Sequence, residues 1–156
     1  MHIYLDNAAT TKMSETALTA MLPYFTEQYG SPSSLYSFGQ HAHEALTDAR
    51  ERIARQLHCE AREITFTSGG SEADNQAIVS AARIGERKGK RHIVSTAFEH
   101  HAVLHTLSKL EKEGFEVTLL PVHENGIVQP EEVEAAIRPE TCLVTVMYAN
   151  NEIGTI

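Results

Sequence analysis

The chain contains no tryptophan and only two cysteines, and it has no apolar stretch approaching the roughly 18 residues needed to cross a bilayer. Each shortage removes a class of protein. A disulfide-stapled scaffold needs cysteines at framework spacing, whereas Cys59 and Cys142 lie far apart, one after a helix pattern and one inside a strand pattern. The start, Met1-His2-Ile3-Tyr4-Leu5-Asp6, has neither the charged segment nor the apolar run of an export signal. Positive charge is scarce too: thirteen Lys and Arg face 21 Asp and Glu, giving a net charge of −8, and no basic cluster is denser than Arg83 to Arg91. Without a basic face there is no electrostatic footprint for nucleic acid. These shortages predict a cytoplasmic protein with neither a membrane nor a nucleic-acid partner.

What is present suits one globular core: 156 residues, 42% hydrophobic and 22% charged. Leu5 to Thr11 has no helical or strand period and reads as an N-terminal arm packed closely on something. Ser14 caps a helix to about Gln28, with Leu18, Met21, Leu22 and Phe25 on one face and Pro23 as a point of bending or breakage. Tyr29 to Ser34 is a loop. From about Gly39 to Leu57, Ala42, Ala45, Leu46, Ala49, Ile53 and Leu57 recur every three or four residues, as in an amphipathic helix. Thereafter strand signals (Ile64 to Thr67, His92 to Thr96, Phe115 to Val122, Cys142 to Tyr148) alternate with helix signals (Ser71 to Lys88, His101 to Glu113, Pro130 to Ile137). That alternation predicts the α/β class, a mostly parallel sheet with flanking helices in three layers. Asn150-Asn151-Glu152-Ile153-Gly154 then falls at the carboxyl end of the last strand, where such sheets place ligand loops. An apolar end directly after that loop, with no covering helix, predicts that the sequence is a truncated one.

Thr65-Phe66-Thr67-Ser68-Gly69-Gly70-Ser71-Glu72-Ala73-Asp74-Asn75 is the stretch around which the chain is organised. A short β-branched run enters paired glycines and then a long helical pattern, with Ser71 as its predicted N-cap. First-turn amides with the helix dipole behind them attract an anion, so this turn is a candidate phosphate seat. It matches neither GxGxxG nor GxxxxGK[ST], which argues against a dinucleotide or a P-loop triphosphate. From the local pattern alone, an ordinary serine-capped strand-to-helix connection is favoured over a phosphate seat. Glu72 and Asp74 weigh toward that connection, because they already answer part of the dipole.

The histidines are read in the same way. His101 and His105 are spaced i, i+4, but HAVLH lacks the glutamate of HExxH and no third ligand is evident, so a solvated or packed helix pair is favoured over a metal site. His41 and His43 point to different helix faces. Taken alone, His100 is a structural histidine and Asn150-Asn151 a turn.

Taken together, YLDNAATT (Tyr4 to Thr11), Gly30-Ser31-Pro32-Ser33-Ser34, TSGGSEADN (Thr67 to Asn75), Glu99-His100-His101-Ala102-Val103 and NNEIG (Asn150 to Gly154) resemble the NifS/IscS cysteine desulfurases. These are pyridoxal 5'-phosphate enzymes of the class V aminotransferase type, with fold type I. The five motifs stand in the family's order and close to its spacing across the whole chain. The resemblance implies that Gly70 and Ser71 hold the cofactor phosphate, that His100 stacks on the pyridine ring and assists proton transfer, and that Asn151 hydrogen-bonds the phenolic oxygen. Asn7 and Ala8 would lie near the bound amino acid. It also implies a division in which residues 1–13 form an arm belonging to the family's small domain and residues 14–156 form the N-terminal portion of the cofactor-binding large domain.

The implied activity converts L-cysteine to L-alanine and leaves persulfide sulfur for iron–sulfur cluster or thiocofactor assembly. The partners implied are a sulfur acceptor or Fe-S scaffold protein and a second copy in a homodimer. Departures are Ser31 and Tyr36, where the family commonly has asparagine and histidine, and Ser71, where threonine is usual; serine keeps the hydroxyl. The family's cofactor-anchoring lysine and nucleophilic cysteine are not among these residues. Lys12, Lys88, Lys90, Lys109 and Lys112 all lie in polar contexts, unlike a desolvated reactive amine. The fragment alone is therefore expected to be inactive. Another class V enzyme, such as a selenocysteine lyase or a kynureninase-like protein, or a non-catalytic scaffold or half of a split enzyme, remains the alternative. In the family's sheet the second to fourth strands are neighbours while the first pairs with strands from further along, so three adjacent strands and one unpaired segment are expected.

Overall fold

The computed structural model describes residues 2–156, in two compact units, Met1–Phe66 and Thr67–Ile156. The first unit is helical. Ser14 caps α1 (Glu15–Thr26) by accepting the Ala17 amide at 3.2 Å, and the helix runs through Pro23 to its end. Helix α2 (Ser37–Leu57) ends at His58, whose left-handed backbone lets its amide reach the carbonyls of Ala54 and Arg55. A single 3-10 turn (Ala61–Glu63) follows, closed by reciprocal bonds between Glu60 and Glu63. The arm differs from expectation: residues 5–10 make tight turns through Ala9 and Thr10 amides on the Asp6 carbonyl, and every residue from His2 to Leu22 is exposed. The arm's own carbonyls take those amides, and its side chains bury nothing.

The first predicted strand is also corrected. Ile64 to Thr67 is not a strand: Ile64 is extended, but no ladder bonds join the segment to a neighbour among the described residues. β-branched residues favour extended backbone, yet a strand needs a partner for its amides and carbonyls.

In the second unit α3 (Gly70–Glu86), β1 (His92–Thr96), α4 (His101–Lys112), β2 (Glu116–Leu120), α5 (Pro130–Ala136) and β3 (Thr141–Val144) follow in order. The three strands are neighbours in the order β2-β1-β3, all parallel, with His92 opposite Glu116 on one side and Thr141 on the other. The α/β reading therefore holds, as a parallel sheet with flanking helices. Every residue of β1 is buried, as a central parallel strand requires. Ile78 and Ala82 of α3, Val103, Leu107 and Leu110 of α4, Ile93 and Phe115 form the core beneath the sheet. Gly85 lets α3 approach β3, since a Cβ there would stand 2.2 Å from the Cβ of Cys142. Strand β3 stops at Val144, short of the predicted Tyr148; one further bond, from the Thr145 amide to the Val94 carbonyl at 2.9 Å, ends the pairing.

Candidate functional site

The carboxyl ends of β1 and β3 and the start of α3 carry the predicted site residues of the second unit. Gly69, with extended backbone, is the N-cap of α3; Gly70 and Ser71 are its first helical residues, so Ser71 is not the cap predicted from sequence. No side chain caps the helix, and the turn before it is held by two other groups. Thr67 donates its hydroxyl to the Gly69 carbonyl at 3.1 Å, and the Glu72 carboxylate turns back to accept both the amide and the hydroxyl of Ser68 at 2.6 Å. These two bonds, the hydroxyl first, hold the Glu72 carboxyl below the usual carboxylate range. Glu72 thus answers Ser68, leaving the first-turn amides from Gly70 to Glu72 without a carbonyl four residues behind them.

A cofactor phosphate can be tested against this turn. A Cβ built on Gly69 or on Gly70 meets nothing within 4 Å, and neither glycine has a left-handed backbone, so the pair leaves open space directly before the amides. The residues fit a dianionic headgroup: free main-chain donors, a hydroxyl at Ser71, and room for close approach. A groove of about 500 Å³ lined by Ser71, Asn75, His100, His105 and Lys109 continues from it, and Lys109 is its cationic member.

His100 is the N-cap of α4. Its Nδ1 accepts the Ala102 amide at 3.1 Å, which assigns the proton of the neutral ring to Nε2. His100 also lines a cleft of about 380 Å³ together with Glu99, Asn150 and Asn151, and a third of about 340 Å³ that includes Asp74, Ile78, Thr145 and Tyr148. The structure therefore brings His100 together with Asn151 in one cleft and with Ser71 in the next. Asn7 and Ala8 belong to the first unit, in an exposed turn. The rings of His101 and His105 stand 5.7 Å apart on the exposed face of α4, and no group of three or more metal-ligating side chains occurs among the described residues.

Two residues of the site were missed from sequence. Glu99 is buried and accepts the Thr96 hydroxyl at 3.0 Å and the Met147 amide at 2.7 Å. Asn150 is buried too, with its oxygen on the amides of Glu152 and Ile153 and its Nδ2 on the Phe98 carbonyl at 3.2 Å. The signal available was their adjacency to His100 and Asn151, together with asparagine's capacity to bond amides two and three residues on.

No helix among the described residues is long and apolar enough to cross a membrane. Residues 3–156 match the family described as aminotransferase class-V. Cysteine desulfurase IscS of Clostridium botulinum (strain Hall) is 55% identical over 154 residues, covering 99% of this chain and 38% of the relative. Among solved structures, a NifS-like protein superposes with a TM-score of 0.95 at 40% identity, over all of this chain and 43% of that one. The structure described as SspA in complex with cysteine gives 0.89 at 38% identity, over 96% of this chain and 43% of that one. The chain spans well under half the length of the curated relatives it matches. On the family match, with motifs and fold in agreement along its length, the chain belongs to the class-V aminotransferases and is homologous to the cysteine desulfurases among them.

Proposed function

We propose that this chain is the phosphate seat and ring-facing portion of a pyridoxal 5'-phosphate site in a cysteine desulfurase. The observation that carries the reading is the position of His100, which borders the groove of Ser71 and the cleft of Asn151 at once. Bound pyridoxal phosphate supplies the electron sink for breaking the carbon–sulfur bond of L-cysteine. The amides of Gly70 and Ser71 and the Ser71 hydroxyl bind the phosphate. His100 lies on the ring face, with Nδ1 fixed on the Ala102 amide and Nε2 free to hold or release a proton. The Asn151 amide donates to the phenolic oxygen without adding charge. Asn7 and Ala8 lie near the amino acid substrate, within an arm of residues 1–13 that groups with the small domain, whereas residues 14–156 belong to the cofactor domain. The sulfur leaves as persulfide to an acceptor or Fe-S scaffold protein, the intact enzyme is a homodimer, and its setting is cytoplasmic.

These 156 residues hold cofactor reversibly and do not turn it over, because none of the five lysines is buried and neither cysteine suits attack. Cys142 is half-buried, and burial raises its thiol pKa, which withholds the thiolate. The test is an absorption titration of the purified chain with pyridoxal phosphate, before and after borohydride, followed by addition of L-cysteine. A saturable spectral change that dialysis reverses after borohydride, with no sustained sulfide or alanine release, is expected. A reduced, covalently retained chromophore or continuing sulfide release would overturn the reading, as would no binding at all.

A further inference from the structure

The segment between β1 and α4 and the segment after β3 each carry one buried polar side chain, and each side chain bonds the other segment's backbone. Glu99, 6% exposed, takes the Met147 amide at 2.7 Å; Asn150, 8% exposed, gives its Nδ2 to the Phe98 carbonyl at 3.2 Å. Both are anchored at home as well. Glu99 holds the Thr96 hydroxyl at the end of β1, and the Asn150 oxygen closes its own turn on Glu152 and Ile153. Beyond Thr145 the second segment makes no further ladder bond to β1, so these two crossings are what tie it to the first segment.

We infer that Glu99 and Asn150 are positioning residues, a reciprocal clasp that fixes where His100 stands relative to Asn151 across their shared cleft. The clasp rests on the reading of that cleft as the cofactor's. A buried carboxylate is costly unless it is hydrogen-bonded, and here one oxygen, Oε1, receives both donors. Each clasp residue immediately precedes the residue it places: Glu99 before His100, Asn150 before Asn151. A bond length lost at the clasp is therefore delivered directly to the facing pair, with only one peptide unit to absorb it. Each segment contributes one side chain and one backbone group to the pair of bonds, so sliding the two segments stretches both.

The test uses the isotopically labelled 156-residue chain without cofactor, comparing wild type with Glu99→Ala, Glu99→Gln and Asn150→Asp. Glu99→Gln keeps an acceptor for the Met147 amide. Asn150→Asp removes the donor to the Phe98 carbonyl, together with its weak contact to Met147 Sδ at 3.4 Å, and keeps the oxygen that closes the turn. In Glu99→Ala, hydrogen exchange at the Met147 amide rises about tenfold, and the resonances of the His100 ring and of the Asn151 side-chain amide both move, while exchange at Val94 and Leu107 is unchanged. Glu99→Gln stays within about threefold of wild type, and Asn150→Asp moves both resonances again. Faster exchange at Met147 with His100 and Asn151 unmoved would overturn the clasp, leaving Glu99 a merely structural residue. If Glu99→Ala fails to fold, Asn150→Asp decides alone, and unmoved resonances there overturn it too. A parallel titration with pyridoxal phosphate separates the two ideas: a wild-type chain that binds none ends the cofactor reading, whereas the resonance shifts test the clasp regardless.

Discussion

The chain up to Phe66 and the chain from Thr67 onward obey the same sequence rules and reach opposite outcomes. In the first unit two helices form with clear amphipathic patterns, yet among its described residues only Gly39 and Ala54 are buried. Leu18, Leu22 and Phe25 of α1 and Leu46, Ile53 and Leu57 of α2 remain exposed. What holds these helices is local: the Ser14 cap, the left-handed turn at His58, and i, i+4 pairs between Asp48 and Arg52 and between Glu51 and Arg55. In the second unit equally amphipathic helices meet a sheet, and Ile93, Leu107 and Leu110 leave water almost entirely. A periodic pattern specifies that a helix forms and which face needs cover; it does not supply the cover.

The largest expected effect follows from that contrast. Leu107→Ala, at a residue 2% exposed, should lower stability by about 2–5 kcal/mol, whereas Phe25→Ala, at a residue 68% exposed, should change it by less than about 0.5 kcal/mol. Urea unfolding of each variant followed by circular dichroism measures both. Similar losses at the two positions would show that the first unit owns a core after all, and the comparison would collapse.

The same contrast explains how much was legible in the sequence. The α/β class, five helices and three of the strands were readable because caps and apolar periods are local, whereas the pairing of those strands came from the family resemblance. Ile64 to Thr67 and the stretch from Thr145 to Tyr148 read as strand but are not, since pairing depends on neighbours that periodicity cannot name. Gly70, Ser71, His100 and Asn151 were singled out through motifs and are the residues the proposed site rests on. Glu99 and Asn150 were missed because their work lies in bonds between segments some fifty residues apart, as in the 48-residue separation of Glu99 and Met147. Ser71 was misplaced as the cap, since the helix starts at Gly70, before the serine, with Gly69 as an N-cap that offers no side chain.

A second substitution probes a tightly packed spot of the first unit. A Cβ at Gly39 would stand 2.4 Å from the Ser34 carbonyl oxygen and 2.8 Å from that of Ser31, both rigid backbone. Gly39→Ala should therefore cost about 1–3 kcal/mol and speed exchange at the Gln40 amide, which bonds the Tyr36 carbonyl. Gly70→Ala, which faces open space in the second unit, should leave stability within about 0.5 kcal/mol while obstructing the phosphate seat, so that pyridoxal phosphate binding weakens. A stable Gly39→Ala would mean that the loop before α2 yields easily. A smaller loss is expected at Ser14, where Ser14→Ala removes the acceptor of the Ala17 amide and should cost about 0.5–2 kcal/mol, seen as faster exchange in the first turn of α1 only. Spread of that exchange into α2 would show the two helices to be more cooperative than their burial suggests.

The most conditional effect appears only on acidification and belongs to the second unit. His92 is buried in the central strand, with Nδ1 2.8 Å from the Thr141 hydroxyl and Nε2 2.9 Å from that of Thr118, so its ring joins β1 to both neighbours. Burial, and then the positive charge of Arg138, push its pKa below the ordinary histidine value, while Glu116 and Glu140 pull weakly the other way. In the folded chain the ring is neutral at a pH where the unfolded chain has already bound a proton. The unfolded state therefore takes up more protons as pH falls, and stability is full above the ordinary value of about 6.5 and declines as pH drops through it toward the folded pKa. The urea midpoint of the core, followed by exchange at Leu107, should fall between pH 7.5 and 5.5, whereas His92→Gln should start lower and stay level across that window. A wild-type midpoint that is flat there, or a variant that declines in parallel, would move the acid sensitivity away from this ring and leave the difference between the two units resting on apolar burial alone.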